Sequence, residues 1–238
     1  MKLFKRTDIG KRKENQDTID NKSFETGVLA VVCDGMGGGY NGKEASQRAA
    51  NRFITAFEQG YNPEMTEFKE LLLSAMQAAN TVVYDNGKSV RESGQMMGTT
   101  CVAAFITKEL AHIVNIGDSR AYLIRDNDII QITTDHSVVQ LMFEKGEITK
   151  EEMSTHPRKN VLLRVLGVEE AVKADYFKVK YDSGKIMLCS DGLVNAVSDE
   201  EILEVVNSVS LNLAATSLVE QAVINGGNDN ISVVVVYN

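Results

Sequence analysis

Proline is nearly missing from this chain, with 2 in 238 residues, and glycine contributes only 18. Such a composition, with 43% of residues hydrophobic, excludes a collagen-like, disordered or linker-dominated protein. Cysteine is also scarce. The 3 cysteines are odd in number and widely spaced with no CxxC pair, so neither a disulfide framework nor a cysteine zinc site is expected. Long apolar runs are lacking. Stretches such as Val28 to Cys33 and Val233 to Tyr237 fall far short of the ~18 residues that a membrane span needs. Met1 to Asp8 passes from basic to acidic residues with no apolar core between, so no signal peptide is expected. A cytoplasmic protein without membrane insertion is the expectation.

Positive charge is in deficit. There are 33 acidic and 25 basic side chains, a formal net charge of −8. Lys2, Lys5, Arg6, Lys11, Arg12 and Lys13 crowd the start against Asp8 alone, which leaves the body more acidic still. That balance argues against nucleic acid as a partner, because a phosphate backbone demands a broad basic face. The short basic start could hold one phosphate or form a solvated edge.

No internal repeat, low-complexity tract or Pro- or Ser-rich linker divides the chain, and residues 1–238 read as one domain. Helical patterns cover Gly42 to Gln59 and Glu64 to Asp85. In the second, Phe68, Leu71, Leu72, Ala75, Ala78, Ala79 and Val82 form one apolar stripe. Strands are expected at Val28 to Cys33, Cys101 to Thr107, His112 to Ile116, Arg120 to Arg125 and Ile129 to Thr133. The links after Cys101 are so short that antiparallel neighbours are expected. The chain then reads as helical from Ser137 to Gly167, where Ser137 to Gln140 and Thr149 to Glu152 have capping-box form. Strands return at Val172 to Tyr181 and Lys185 to Cys189, helices near Glu200 to Val206 and Leu213 to Ile224, and a last strand at Ile231 to Tyr237. Runs of strands and runs of helices imply an α+β layered fold. The wholly apolar strands imply sheets covered on both faces.

The informative residues are aspartates at strand ends. Val28 to Cys33 runs into Asp34-Gly35, and Ile186 to Ser190 into Asp191-Gly192. Ile113 to Ile116 runs into Gly117-Asp118-Ser119, and Asp229-Asn230 precedes the final strand. One Asp-Gly at a strand end is an ordinary turn. Four on the apolar strands of one domain are not, and if they converge their repulsion must be offset by cations. An all-oxygen set selects hard ions, magnesium or manganese. A carboxylate shared by two such ions sets them ~3.5–4 Å apart with a hydroxide between, a nucleophile suited to phosphorus.

Ordered motifs carry a resemblance over essentially the whole chain. Asp34-Gly-Met-Gly-Gly, Gly98-Thr-Thr, Gly117-Asp-Ser-Arg-Ala-Tyr122, Ser190-Asp-Gly-Leu193 and Gly227-Asn-Asp-Asn-Ile-Ser232 resemble those of the metal-dependent type 2C protein phosphatases, the bacterial branch best. Thr7-Asp-Ile-Gly10, Arg12-Lys-Glu-Asn-Gln-Asp17, Asp135-His-Ser137 and His156-Pro-Arg-Lys-Asn160 fit as well. The resemblance implies a four-layer α-β-β-α sandwich, two mostly antiparallel sheets flanked by helices. It implies hydrolysis of phosphoserine and phosphothreonine on proteins, reversing a cognate serine/threonine kinase, by a monomer holding two core Mn²⁺ or Mg²⁺ ions and a weaker third. Asp34 would bridge the core ions, the carbonyl of Gly35 would bind one, and Asp191 and Asp229 would complete the other. Asp118 with Asp191 would hold the third, and Arg12 would clamp the phosphate. The insert at about 137–167 would be a flap meeting the substrate, with His136, His156 and Arg158 on it.

Two departures are visible. The spacer between Gly10 and Arg12 is one residue shorter than the family's, so Lys11 or Lys13 could share Arg12's task. Met36 stands where many animal members carry a histidine proposed as general acid, so the group that protonates the leaving oxygen is not named. Other classes fit the residues less well. Gly37 to Lys43 has P-loop form but Glu44 stands where Ser or Thr must hold magnesium. A cysteine-nucleophile phosphatase needs Arg six positions after its cysteine, and Gly39, Thr107 and Asn195 stand there instead. A catalytically silent phosphoprotein- or metal-binding relative would usually lack a metal carboxylate, and all four are present.

Overall fold

Strands whose side chains are apolar on both faces need cover on both faces, and that requirement organises the molecule. The computed structural model describes residues 1–37, 40–181 and 184–238. Its elements begin with β1 (Lys2–Asp8), β2 (Asp17–Phe24), β3 (Gly27–Met36), α1 (Tyr40–Gly60), α2 (Lys69–Asn86) and α3 (Lys88–Glu92). The middle holds β4 (Gly98–Thr99), β5 (Cys101–Thr107), β6 (Leu110–Ile116), β7 (Arg120–Arg125), β8 (Asp128–Gln131), α4 (Val138–Glu144) and α5 (Lys150–Thr155). The chain ends with β9 (Asp175–Lys180), β10 (Lys185–Cys189), α6 (Asp191–Val194), α7 (Asp199–Ser208), α8 (Ala214–Ile224) and β11 (Ile231–Tyr237).

One sheet has the order β1-β11-β10-β7-β8 and the other β2-β3-β5-β6-β9, with β4 added beside the end of β3. Their pairings are antiparallel. Alternation within each strand splits its side chains between two cores. Along β3, Val28, Ala30 and Val32 face the other sheet and meet Leu123, Leu188 and Val234. The intervening Leu29, Val31 and Cys33 pack under α1 and α2 with Phe53, Phe57, Leu72 and Met76. Along β11, Val234 and Val236 join the intersheet core, whereas Val233 and Val235 pack under α6 to α8 with Leu193, Ile202 and Leu218. The result is the expected α+β sandwich of four layers, helix, sheet, sheet, helix.

Several boundaries differ from the sequence reading, each for a physical reason. β1 and β2 were not expected, because half-exposed strands rich in Lys, Arg and Asp carry no apolar signal. β1 is an edge of its sheet and pairs from Lys2 opposite Tyr237 to Asp8 opposite Ile231. Helix α2 begins at Lys69, not Glu64, because Asn62 to Met65 form a turn and Phe68 is drawn into the core as the cap residue. Its buried face carries Met76, Asn80 and Val83 beside Leu72, Ala75 and Ala79, so the stripe is rotated from the one read off the sequence.

The segment 137–167 is helical only at α4 and α5. Ser137 caps α4 through Gln140 N–H, but the Gln140 amide turns to Glu144, so of these two sites Thr149 with Glu152 alone closes a full capping box. Pro157 then bars continuation, residues 157–160 turn, and the chain runs on without helix to Gly167. The short link after β6 does not make a hairpin. β7 leaves for the other sheet, with Gly117 at φ +106° at the crossing, where a Cβ would lie 2.6 Å from the Thr100 side chain. That crossing, not a turn, is what sets Asp118 between the sheets.

Asn80 is the one polar side chain on the buried face of α2. Its Nδ2 donates to Glu169 O at 2.9 Å and Glu170 O at 3.0 Å, and its Oδ1 accepts from Gly167 N–H at 2.8 Å. Removing it strands a buried N–H that water cannot reach. Asn80→Ala is therefore expected to lower unfolding free energy by about 2–4 kcal/mol in urea denaturation; a change inside experimental error would show that the tie is dispensable.

Candidate metal centre

Four chain segments converge on one end of the sandwich. Asp34 lies near the end of β3, Asp118 at the crossing from β6 to β7, Asp191 at the start of α6 and Asp229 just before β11. All four line one cleft of about 660 Å³ together with Gly35 and Arg12. Their approach is tight enough to be felt electrically. Burial and then the charges of Asp17, Asp191, Asp118 and Asp229 push the Asp34 carboxyl well above the usual carboxylate range. Burial and then Asp191 and Asp135 push Asp118 up to about 8. Burial and then Asp229 push Asp191 up as well, against the Asn195 amide that donates to its Oδ2 at 3.0 Å. Carboxyls so arranged hold protons or demand cations.

The surrounding hydroxyls and amides are spent on holding this arrangement. Thr99 Oγ1 donates to Asp34 O at 2.8 Å, Thr100 N–H to the same carbonyl at 2.9 Å, and Asp34 N–H donates to Thr100 Oγ1 at 3.0 Å. The Gly98-Thr-Thr motif thus clamps the main chain of Asp34. Gly35 is required by crowding, since a Cβ there would meet Gly42 O at 2.0 Å. Buried Asn230 holds the loop before β2, accepting from Gln16 N–H at 2.8 Å and donating to Ile9 O at 2.9 Å and Glu14 O at 3.0 Å.

That loop carries Arg12 to the rim. Its Nη2 donates to Asp229 Oδ2 at 2.6 Å, the other oxygen of Asp229 accepts from Asn230 N–H at 2.9 Å, and the guanidinium also feels Asp191 and Asp34. Lys11 and Lys13 line the same cleft. Lys43 is drawn to Glu14 at 3.6 Å and Glu44 to Arg48, so neither addresses a phosphate. Gly38 and Gly39 of the Gly37 to Lys43 reading lie outside the described residues.

Asp17 escaped the sequence reading as a site residue. It pairs across the strands with Asp34, is buried, and accepts from Ser190 Oγ at 2.7 Å, while burial pushes its carboxyl up to about 7. Its Asp sits after a hydrophilic stretch with no apolar strand to advertise it, and only the register of β2 on β3 reveals its place. The flap residues divide. His136 was expected on the flap but is buried against the crossing, its Nδ1 accepting from Gly117 N–H at 3.2 Å and its Nε2 donating to Asp175 Oδ2 at 3.1 Å. A ring that accepts at Nδ1 carries its proton on Nε2 and donates it to Asp175. Burial lowers its pKa, so it is a neutral strut that positions the Asp118 loop. His156 caps the end of α5 and accepts from Arg158 N–H at 3.1 Å. Neither His156 nor Arg158 lines the cleft; Asn160 and Leu162 do.

The donor set fits divalent cations. Asp191 Oδ1 and Asp17 Oδ1 are buried without a hydrogen-bond partner, as acceptors are when an ion is their natural partner. No three His, Cys, Asp or Glu side chains among the described residues close around one point as a ready-made cage. Asp229 faces Arg12 instead, and an ion drawing on it would share it with the guanidinium. Hard ions that keep several waters and take only one or two carboxylates suit such an open set.

Comparison with known proteins agrees. The protein phosphatase 2C sequence profile matches residues 6–223. The chain is 38% identical over 239 residues to the serine/threonine phosphatase stp of Listeria welshimeri, covering 97% of this chain and 93% of that protein. It superposes on the crystal structure of the serine/threonine phosphatase Stp1 from Staphylococcus aureus with a TM-score of 0.92 and 32% identity, over 99% of this chain and 94% of the other. A structure of the catalytic domain of the phosphatase PstP in complex with 2 manganese ions matches with a TM-score of 0.84 and 31% identity, over 98% and 96% of the two chains.

Raised carboxyls make a signed prediction. Without metal, the folded protein binds more protons than the unfolded chain between the ordinary carboxylate value of 3.8 and the raised values of about 7 and about 8. Stability of the chelated protein should therefore fall as pH rises from 5 to 8, and manganese should raise Tm most at the alkaline end and release protons near pH 6.5. Scanning calorimetry and buffer-dependent titration calorimetry read both; a chelated protein that grows more stable over this range contradicts the clustering.

Proposed function

The chain belongs to the protein phosphatase 2C family and is a metal-dependent protein serine/threonine phosphatase; from that premise we propose which residues act and how. The observation that carries the assignment is the convergence of Asp34, Asp118, Asp191 and Asp229 on one cleft with an orphaned oxygen on Asp191. Asp34, Asp191, Asp229 and the Gly35 carbonyl would hold two core ions, manganese or magnesium, and Asp118 with Asp191 a weaker third. Bound there, the ions would supply Lewis acidity and an activated water as nucleophile.

The protein's own groups do the rest. Arg12, anchored by Asp229 at the rim, would receive the phosphate, a task for a planar fork of donors rather than a point charge. Lys11 and Lys13 would add charge at the same mouth. The Thr99 and Thr100 clamps would keep Asp34 from moving as charge changes hands. Met36 lies on the cleft wall and cannot protonate the leaving serine or threonine oxygen, so that proton would come from solvent. Residues 1–238 would work as one catalytic domain, with 137–167 as a flap that presents Asn160 and Leu162 to the substrate. Among the described residues no helix is long and apolar enough to cross a membrane. The physiological task would be reversal of a bacterial serine/threonine kinase.

The test is phosphate release from a phosphothreonine peptide with manganese, with chelator and with Asp34→Asn. Chelation should abolish turnover and the substitution should cut kcat by at least ~100-fold, the scale of losing a group that acts in the transition state. Turnover surviving either treatment overturns the mechanism, and a correctly folded wild type with no turnover at all favours a silent binding relative. Asp191→Ala should cost more than Asp118→Ala, since it would touch two ions. Arg12→Ala should raise KM more than it lowers kcat; the reverse split would move Arg12 from ground-state phosphate binding to the chemical step.

A further inference from the structure

Beside the metal cleft lies a second cavity of about 550 Å³, and its walls are of a different chemistry. Met96, Val161, Leu163 and Val168 contribute large apolar side chains that stand 40–51% exposed. These are side chains the core does not use, gathered around one concavity. Patches of this kind on a soluble protein mark a place where another apolar group docks. The groove is continuous with the cleft, because Met36, Asn160 and Leu162 line both.

The two cavities are also mechanically registered. Leu166, at the back of the groove segment, exchanges hydrogen bonds with Thr99, N–H to O at 2.9 Å and the return at 3.2 Å. The same Thr99 holds the carbonyl of Asp34 through its hydroxyl. On the other side, Leu163 N–H donates to His136 O at 2.8 Å, and His136 accepts from the Gly117 N–H that precedes Asp118. The groove wall is thus tied by two short paths to two of the candidate metal carboxylates. A side chain seated in the groove and a phosphate seated in the cleft would be held at a set spacing.

We propose that this groove receives a large aliphatic side chain flanking the phosphorylated serine or threonine of a protein substrate. The proposal rests on the phosphatase reading and adds to it a substrate class. Its occupant follows from position: whatever lies in a groove that opens into the phosphate cleft arrives with the phosphate, on the same polypeptide. Its chemistry follows from the wall, where Met, Ile, Val and Leu side chains, which offer no hydrogen bond, outnumber Asn160, Arg164, Glu169 and Lys173.

The experiment uses the intact protein with manganese and a set of phosphothreonine peptides in which Leu or Ser alternates at each of the four positions on either side of the phosphothreonine. Wild type should prefer Leu over Ser by about tenfold in kcat/KM at one position, the size expected for seating one apolar side chain. Leu163→Ser and Val168→Ser, at exposed positions outside the catalytic set, should erase that preference through KM. They should leave hydrolysis of p-nitrophenyl phosphate, which has no flanking residue, at the wild-type rate. Less than threefold preference at every position, or a preference that survives both substitutions, overturns the proposal. So does a wild type that sediments as a dimer while Leu163→Ser is monomeric, since the groove would then belong to a second copy. Failure of wild type to hydrolyse p-nitrophenyl phosphate would instead strike the phosphatase reading, which keeps the two failures distinct.

Discussion

Like charges forced into one cleft are the constraint around which this molecule is arranged. Asp34, Asp118 and Asp191, with Asp17 behind them and Asp229 at the rim, line one cleft, and burial together with neighbouring carboxylates raises the first four. Such a cluster is unfavourable by itself. It persists because the scaffold that presents it is stiff. Each carboxylate is fixed at the end of an element whose other residues are locked into one of three apolar cores. A flexible scaffold would let the carboxylates drift apart; two packed sheets do not. The repulsion is stored as an affinity for cations.

The polar residues near the cleft make sense in that light. Thr99 and Thr100 hold the Asp34 main chain, Ser190 holds Asp17, Asn195 holds one oxygen of Asp191, and Asn230 holds the loop that delivers Arg12. Few of these groups need touch a substrate. They satisfy main-chain and carboxylate atoms that would otherwise be buried without partners, and they leave Asp191 Oδ1 and Asp17 Oδ1 open to an ion. Arg12 and Asp229 form a further link, since the guanidinium proposed to receive the phosphate and a candidate metal ligand are joined in one ion pair. On the proposed roles, binding of metal and binding of phosphate would draw on the same carboxylate.

The segment 137–167 is less a lid laid over the site than a strap woven into it. Its ends are pinned by a bridge from Ser137 to Leu162 and another from Thr99 to Leu166, and buried His136, the residue just before it, props the Asp118 loop. Only its outer surface is free, and there the apolar residues gather. The proposed substrate groove and the candidate metal carboxylates thus share main-chain connections, although different side chains line them.

Much of this was legible in the chain itself. Unbroken apolar runs such as Val28 to Cys33 announced strands buried on both faces, and three- and four-residue spacing announced α1 and α2, because periodicity follows directly from backbone geometry. Asp34, Asp118, Asp191 and Asp229 stood out because each interrupts an apolar pattern beside Gly or Asn. Edge strands β1 and β2 were not legible, since an edge half-open to water needs no apolar signal. Asp17 was not, since its role exists only through pairing opposite Asp34. The β6 to β7 crossing was not, since a three-residue link is compatible with a hairpin and with a change of sheet alike. Which face His136 would present, and whether His156 and Arg158 would reach the cleft, depended on how an extended segment lies across the sheets. Local pattern, then, determined the elements and the chemistry of the donors. Long-range packing decided which donors meet, because contact between residues 34 and 229 is a property of two sheets closing on each other and of no stretch of sequence alone.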